Sequence, residues 1–273
     1  MKRTAISLAI FSSITLFTNI PTVTAQNKPP ESPQAVTSQN QAIQLLNQAT
    51  KKADEGNLKG ALADYSQAIK INSRYSLAYY NRAITYEDLG NKKAALNDYN
   101  QAIQINQYWG QGAVTSAYIN RGKLRYEMGD SQGAIADFNQ VVKVKTDESD
   151  VFYNRALAHH KLGNKKAALN DYSKAIQINK WQDKGSHAAY LNRGVVRLDI
   201  GDNKGALADY TQAIRLKSDY ALAYKNRGLF YLDTGNQTLA IKDFQKASQL
   251  YTKQGNLEKH KEIAKLLNEV KKR

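Results

Sequence analysis

Small apolar and aromatic residues return along the chain in a fixed order, with polar residues between them. The stretch GALADYSQAI at residues 60–69 reappears as AALNDYNQAI, GAIADFNQVV, AALNDYSKAI, GALADYTQAI and LAIKDFQKAS. Successive copies of the shared alanine are 34, 39, 34, 38 and 34 residues apart, at Ala61, Ala95, Ala134, Ala168, Ala206 and Ala240. A period of this length is typical of a stacked array, so the pattern predicts six repeats.

Each repeat is predicted to form two helices joined by a short turn. In the second repeat we expect the first helix over residues 76–89 and the second from about Lys92. A glycine followed by Asn or Asp holds the same place in every repeat, at Gly56, Gly90, Gly129, Gly163, Gly201 and Gly235. Glycine can take the left-handed conformation that ends a helix, and Asn or Asp can cap the next one.

The repeat resembles the tetratricopeptide repeat family, in which aromatic and small residues recur at set positions of two helices. In the second repeat these positions hold Tyr79, Ala83, Tyr86, Ala95, Tyr99 and Ala102. The resemblance covers about residues 41–250 and implies an all-α fold, a right-handed superhelix of six helical hairpins with a C-terminal capping helix. The chain departs from the family pattern in two ways: Arg replaces a large apolar residue in five repeats, and no proline closes a repeat.

The expected organisation is a signal peptide at 1–25, a flexible spacer at 26–40, six repeats over 41–255, and a capping helix with a basic tail at 256–273. The repeats are expected at about 42–75, 76–114, 115–148, 149–186, 187–220 and 221–255. The spacer holds three of the four prolines and few apolar residues, a composition typical of flexible segments. The last helix should cover the open face of the final repeat with its apolar side, Ile263, Leu266, Leu267 and Val270.

The N-terminal residues predict export. Lys2 and Arg3 precede a mostly apolar stretch at residues 5–20, and Val23-Thr24-Ala25 offers the small residues that a signal peptidase reads. We expect cleavage after Ala25 and a periplasmic or secreted location. The composition resembles exported, cyanobacterium-like repeat proteins, for which the thylakoid lumen is a further expected location. An uncleaved membrane anchor is the alternative.

Five arginines are predicted to pair with five aspartates across the hairpins. Each Arg lies eight residues before the turn glycine and each Asp eight residues after it, so both should lie at the same height of an antiparallel helix pair. The pairs are Arg82–Asp98, Arg121–Asp137, Arg155–Asp171, Arg193–Asp209 and Arg227–Asp243. A partly buried guanidinium needs such a partner. In the first repeat Gln48 replaces Arg, so a neutral hydrogen bond to Asp64 is expected; a phosphate-reading arginine stripe is the alternative for the set.

An asparagine immediately precedes this position in every repeat: Asn47, Asn81, Asn120, Asn154, Asn192 and Asn226. Adjacent helix residues point about 100° apart, so an Arg that faces its hairpin directs the Asn elsewhere. The resemblance implies that this face lines a concave groove, where an asparagine ladder grips the backbone of an extended peptide. The flanking side chains expected to select the ligand are Tyr80, Ile84, Tyr153, Leu157, Leu191, Val195 and Leu229. The alternative is that the asparagines bond to the next repeat and stack the array.

Two stretches of the chain are identical, which indicates duplication of a two-repeat unit. The sequence NKKAALNDY occurs at 91–99 and at 164–172, and a long connection with one tryptophan follows each copy, Trp109 or Trp181. We expect each Trp to pack over the adjacent repeat junction, because a buried indole removes a large apolar area from water. A binding protrusion is the alternative.

The formal net charge is +15 and the pI about 9.7, so the surface attracts anionic partners in general. The five ion pairs cancel locally, and the excess comes largely from lysines. The alternative function is therefore an envelope-associated factor that binds anionic membrane, cell wall or nucleic acid through its basic surface. Of these partners we expect weak contact with membrane or cell wall, and we expect no nucleic acid.

Catalytic chemistry is not expected. The chain has no cysteine, which excludes disulfides, thiol nucleophiles and cysteine metal sites. Of four histidines, His159 and His160 are adjacent and diverge on a helix, and the chain has no phosphate-binding loop, nucleophile elbow or metalloprotease motif. The sequence thus favours a non-enzymatic scaffold for an unidentified protein or peptide, with no catalytic residue, cofactor or metal.

Overall fold

The structure, a computed structural model, describes residues 33–107, 109, 113–144, 147–183 and 185–271. Thirteen α-helices and no strands occur in these ranges: α1 (Pro33–Asp54), α2 (Leu58–Ile71), α3 (Ser76–Asp88), α4 (Lys92–Ile105), α5 (Ala113–Glu127), α6 (Ser131–Val142), α7 (Ser149–Lys161), α8 (Lys165–Ile178), α9 (Ser186–Asp199), α10 (Asn203–Leu216), α11 (Ala221–Asp233), α12 (Gln237–Lys253) and α13 (Leu257–Lys271). The expected signal peptide lies outside the described residues. Among the helices just given, none combines the length and the apolar character needed to cross a bilayer.

The chain divides into two compact units, the N-terminal unit with α1–α6 and the C-terminal unit with α7–α13. In the N-terminal unit the helices pack as hairpins α1–α2, α3–α4 and α5–α6, and α2 contacts α3 as α4 contacts α5. In the C-terminal unit the hairpins are α7–α8, α9–α10 and α11–α12, with α8 on α9, α10 on α11 and α13 on α12. The predicted all-α array of helical hairpins with a capping helix is confirmed.

The turn inside each hairpin follows the predicted chemistry. Gly90 and Gly163 have φ values of +74° and +78°, in the left-handed region where a side chain would be strained, and the other four turn glycines share this region. The next residue caps the second helix: the Asn91 side chain accepts from the Ala94 amide at 3.2 Å. These two devices end one helix and begin the next within three residues.

A small residue follows each arginine position because an aromatic ring of the facing helix occupies the available space. A Cβ atom added to Gly194 would lie 2.8 Å from Tyr210 Cε1, and one added to Gly228 would lie 2.7 Å from Phe244 Cε1. Both rings are fully buried and have no room to move aside. The recurring aromatic of the second helix therefore fills the hairpin core, and the small residue allows the two helices to approach.

The two ends of the described chain differ in how well they follow the predicted boundaries. The first helix begins at Pro33, so residues 33–40 are helical and the expected spacer is shorter than predicted. Proline suits the first turn of a helix, because its fixed φ fits and its missing N–H has no partner there. At the other end, α13 buries Ile263 and Val270 against α12 and partly buries Leu266 and Leu267, as the sequence predicted.

Candidate peptide-binding groove

Each predicted arginine–aspartate pair is present and forms two parallel hydrogen bonds between the helices of its hairpin. Arg155 donates from Nε and Nη2 to the two carboxylate oxygens of Asp171, at 2.8 and 2.7 Å. In the other four pairs the same two bonds measure between 2.6 and 2.9 Å. Side-chain exposure is only 16% for Arg155 and 4% for Asp171. This fork geometry is the strongest form of the pair and offsets the desolvation of both ions.

The same guanidinium groups also connect neighbouring hairpins. Arg82 Nη1 donates to Ser66 Oγ of α2 at 2.9 Å, and Arg193 Nη1 donates to Ser173 Oγ of α8 at 3.1 Å. Equivalent bonds link Arg121 to Asn100 and Arg227 to Thr211. An arginine at this position therefore joins three helices, which explains why it can replace the apolar residue of the family pattern.

The aromatic residue three positions before each arginine lies under its guanidinium group. The distance from the guanidinium carbon to the ring centroid is between 5.2 and 5.7 Å in five repeats, for Tyr79, Tyr118, Phe152, Tyr190 and Tyr224. A cation over a ring face is attracted by the ring quadrupole. The recurrent aromatic and arginine thus form one structural unit with the aspartate.

The first repeat does not follow the expected substitution. Gln48 is exposed, and Asp64 instead contacts Lys52 Nζ at 2.5 Å. Lys52 lies four residues after Gln48 on α1, one helical turn closer to the hairpin turn, and its longer charged side chain reaches the carboxylate. The predicted neutral bond between Gln48 and Asp64 is therefore wrong, because an ammonium group was available on the same helix face.

The six asparagines occupy equivalent positions, but they differ in exposure. Asn47 is exposed and Asn120 partly exposed, whereas Asn81, Asn154, Asn192 and Asn226 are buried. The exposed fraction is 3% for Asn154 and 0% for Asn192 and Asn226. The structure therefore does not present the series as a ladder that is open to solvent along its length.

Two of the asparagines hydrogen-bond to a tyrosine of the preceding hairpin. Asn120 Nδ2 donates to Tyr80 Oη at 3.1 Å, and Asn192 Nδ2 donates to Tyr153 Oη at 2.9 Å. In each case the preceding hairpin carries Tyr immediately before its own asparagine. Where that position holds Leu46, Asn81 of the next hairpin is instead a hydrogen-bond partner of the Tyr65 hydroxyl. Asn120 and Asn192 thus act in stacking, the alternative role weighed for them.

Asn154 differs from Asn120 and Asn192 in the hydrogen bonding of its side chain. Both polar atoms of its carboxamide are buried, and neither has a hydrogen-bond partner among the described residues. An unpaired buried amide is unfavourable by about 1–3 kcal/mol, and such groups are rare in native proteins. Helix-interior Asn also has poor helix propensity, so the residue needs a reason other than stability.

The tryptophan of each long connection packs on the tyrosine that receives the asparagine bond. The Tyr80 ring lies 5.9 Å from the Tyr99 ring and 6.1 Å from Trp109, and the Tyr153 ring lies 5.7 Å from Tyr172 and 6.1 Å from Trp181. Each Trp therefore packs on a tyrosine of its own hairpin, the same ring that accepts from the asparagine of the next hairpin. These clusters hold the two tyrosines in position, and burial raises the pKa of Tyr80 to about 12.

Serine hydroxyls at the start of α3 and α7 secure these connections. Ser76 Oγ accepts from the Gln107 amide at 3.0 Å, and Ser149 Oγ accepts from the Lys180 amide at 2.8 Å. The connection therefore folds back on the first helix of its own hairpin.

The apolar residues predicted to flank the ladder belong largely to the core. Leu157, Leu191, Val195 and Leu229 are at most 4% exposed, and Tyr153 is 1% exposed. Tyr80 and Ile84 pack in the core of the N-terminal unit, where Ile84 stays partly exposed. Periodicity alone did not separate a groove wall from a core wall, because both require apolar residues at helical spacing.

The sequence prediction missed a partly buried carboxyl group at the end of α3. Glu87 accepts a hydrogen bond from Tyr99 Oη, and burial raises its pKa to about 7, with Glu127 and Asp88 adding to the increase. Glu127 in turn contacts Lys92 Nζ at 2.7 Å. In the C-terminal unit the positions equivalent to Glu87 and Glu127 hold His160 and Asp199, and the distance from His160 Nε2 to Asp199 Oδ2 is 2.9 Å. In the described ranges no three His, Asp or Glu side chains are grouped so as to hold a metal ion.

Comparison with protein families gives matches over most of the repeat region. A model described as tetratricopeptide repeat matches residues 76–108 and 149–181, and another with the same description matches 115–148 and 221–254. A model described as TPR repeat matches 52–90 and 194–235. No curated protein sequence matches the chain.

Several solved structures share the fold. A tetratricopeptide repeat protein from Parabacteroides merdae ATCC 43184 is 17% identical, with a TM-score of 0.64 over 85% of this chain and 93% of that one. MamA is 22% identical, with a TM-score of 0.56 over 63% and 96%. YrrB, described as a TPR protein with an unusual peptide-binding site, is 22% identical, with a TM-score of 0.54 over 68% and 91%. At these identities the likeness concerns the fold.

Replacing Arg155 by Ala should lower the free energy of unfolding by about 1–3 kcal/mol, because Asp171 would remain buried without its partner. Urea denaturation followed by circular dichroism measures the change. Arg215→Ala is the matched control, since Arg215 is exposed on α10 and should shift stability by less than about 0.5 kcal/mol. Equal destabilisation by the two variants would contradict the structural role of the pair.

Tyr153→Phe should destabilise the chain by about 1–3 kcal/mol, because the Asn192 amide would lose its acceptor in a buried site. Tyr190→Phe is the control, since the Tyr190 ring is only partly buried. Thermal unfolding of both variants tests the prediction. A Tyr153→Phe protein as stable as the parent would show that the bond contributes nothing to stacking.

The raised pKa of Glu87 predicts a pH dependence of stability. A carboxyl group whose pKa is about 7 when folded and 4.5 when unfolded contributes stability that is complete below pH 4.5 and lost as the pH rises through 7. The urea midpoint should therefore fall between pH 5 and pH 8. Glu87→Gln should flatten this decline and be more stable than the parent at pH 8. Glu258→Gln, at an exposed site on α13, should leave the decline unchanged.

Proposed function

Because the chain belongs to the tetratricopeptide repeat family, we propose that it is a non-enzymatic scaffold that binds a protein or an extended peptide. The fold supports this role, since stacked helical hairpins present long surfaces built from equivalent positions of each repeat. The likeness to YrrB, whose description includes a peptide-binding site, agrees with the proposal.

Asn154 is the observation that carries the proposal. A carboxamide offers one acceptor and a donor group, so it can pair with both the C=O and the N–H of a ligand backbone. The Asn154 side chain has both groups unused. A peptide strand at this position would supply the missing partners, and it would do so whatever its side chains are.

The asparagine series is proposed to have two roles. Asn120 and Asn192 each donate an amide N–H to a tyrosine hydroxyl and so hold adjacent hairpins together. Asn154 remains for the ligand. Because Asn154 is buried, binding requires the groove to open around it. The asparagine-ladder hypothesis therefore depends on whether Asn154 contributes to peptide affinity.

We further propose that the scaffold acts in an exported compartment, on the basis of Lys2, Arg3, the apolar stretch at 5–20 and the small residues before Gln26. N-terminal sequencing of the protein from its native host should begin at Gln26. A mature protein that begins at Met1 would contradict cleavage and leave the membrane anchor as the alternative. The other expected interaction, with anionic envelope surfaces, uses different residues and is separable from peptide capture.

Asn154→Ala should weaken peptide binding and leave stability nearly unchanged, because its side chain makes no hydrogen bond with a described residue. Random peptides displayed on phage would be selected on the full chain, and the affinity of one selected peptide would be measured by fluorescence anisotropy. Loss of one buried hydrogen bond corresponds to about fivefold weaker binding or more. Asn170→Ala, on the exposed side of α8, is the control and should bind as the parent does.

Two outcomes separate the parts of the proposal. If the peptide binds Asn154→Ala as tightly as the parent, the scaffold function stands and the asparagine grip does not. If Asn154→Ala lowers the urea midpoint as much as Arg155→Ala, Asn154 is a stacking residue. Failure to select any peptide would count against peptide capture as such.

A further inference from the structure

Charge in the C-terminal unit is segregated by helix. The second helices of its hairpins, α8, α10 and α12, contain three acidic residues in all, namely Asp171, Asp209 and Asp243. Each is at most 4% exposed and is paired with an arginine. The exposed side of these three helices therefore carries no carboxylate.

Seven cations occupy that exposed side: Lys166, Lys174, Lys204, Arg215, Lys242, Lys246 and Lys253. Their side chains form no hydrogen bond or ion pair with another described residue. Lys166 and Lys204 are equivalent positions of successive repeats, as are Lys174 and Lys246 two repeats apart. Equivalent positions of stacked hairpins face the same way, so the seven form one surface, hereafter the lysine face.

The remaining acidic residues of the unit lie elsewhere. They are found in the first helices of the hairpins, such as Asp199 and Asp233, in the turns, such as Asp202 and Asp219, and on α13. A scattered arrangement would mix both signs on every helix, as solubility alone favours. A surface with one sign of charge produces a positive potential that concentrates anionic partners.

We propose that the lysine face docks the protein on an anionic phospholipid bilayer. Six of the seven cations are lysines, which act as hydrated point charges without fixed geometry. The arginines Arg155, Arg193, Arg197 and Arg227, which could grip phosphate bidentately, are committed to the buried aspartates. A fluid layer of lipid headgroups is attracted by the density of positive charge and does not require a fixed hydrogen-bond geometry, so each surface lysine adds to such binding.

The aromatic side chains of the same helices favour lipid over nucleic acid. Tyr172, Tyr210 and Phe244 are fully buried in their hairpin cores, so the lysine face offers no ring on which a base can stack. Base stacking on aromatic side chains is a main source of affinity in single-strand binding. This inference deepens the basic-surface interaction and does not depend on peptide capture.

Sedimentation with vesicles tests the proposal on the full chain. Binding is expected to vesicles of phosphatidylcholine with about 30% phosphatidylglycerol at low salt, and it should be largely lost at about 0.5 M salt, where surface charges are screened. Vesicles of pure phosphatidylcholine report any insertion of the apolar N-terminal stretch. Equal binding to both vesicle types would overturn the proposal, because attachment would then not depend on lipid charge.

A matched pair of variants locates the surface. The first replaces Lys174, Lys204, Lys242 and Lys246 by Gln. The chain already has Gln at the repeat position of Lys174 and Lys246 in two other hairpins, as Gln101 and Gln140. The second replaces Lys259, Lys261, Lys265 and Lys271 of α13 by Gln, exposed lysines outside the lysine face, so the net charge falls equally. The first variant should bind anionic vesicles about tenfold more weakly or worse, and the second should bind nearly as the parent does.

Each remaining outcome bears on the proposal. Equal losses in the two variants would show that net charge, not the lysine face, drives binding, and would overturn it. A short DNA duplex serves as the polyanion probe. If the protein binds DNA through the same four lysines but does not bind vesicles, the lipid proposal is overturned and nucleic acid becomes the ligand of this face. Circular dichroism melting of both variants should match the parent, since all eight lysines are exposed. Peptide affinity should be unchanged in both, which keeps this test distinct from that of Asn154.

Discussion

The forked ion pair between arginine and aspartate is the interaction on which the repeat array depends. It fixes the height of one helix against the other in the last five hairpins, and in four of them the third guanidinium nitrogen reaches the preceding hairpin. A charged residue in a core position requires complete pairing, because a buried ion without its partner is strongly unfavourable. The aspartate, the aromatic residue below the guanidinium and the polar group of the neighbouring helix provide that pairing together.

Once the hairpins are held in this way, variation concentrates at the junctions between them. Tyr80 and Tyr153 recur two repeats apart, and each accepts from the asparagine of the next hairpin and packs against a tryptophan. In the other repeats the equivalent position holds leucine, isoleucine or lysine.

The internal ion pairs also shape the outer surface. Because the acidic residues of α8, α10 and α12 are used inside the hairpins, their exposed sides keep lysine without compensating charge. The net charge of +15 follows from the numbers of acidic and basic residues, and the burial of these acids affects only how that charge is distributed over the surface. An inner amide series for a peptide and an outer lysine face for a lipid surface are compatible, because they use different helices of each hairpin.

The sequence by itself determined the helices, the turns and the ion pairs, because all three depend on contacts within one hairpin. A glycine turn of constant length forces residues eight positions before and after it to the same height, so Arg82 and Asp98 could be paired from spacing alone. The contacts between neighbouring hairpins could not be predicted from spacing. Whether Asn120 meets Tyr80, whether Leu157 lies in a groove or a core, and how strongly Glu87 is buried all depend on the rotation and offset between hairpins. Spacing along the chain does not encode these quantities, since connections of different length join the repeats, and only the packed tertiary structure decided them.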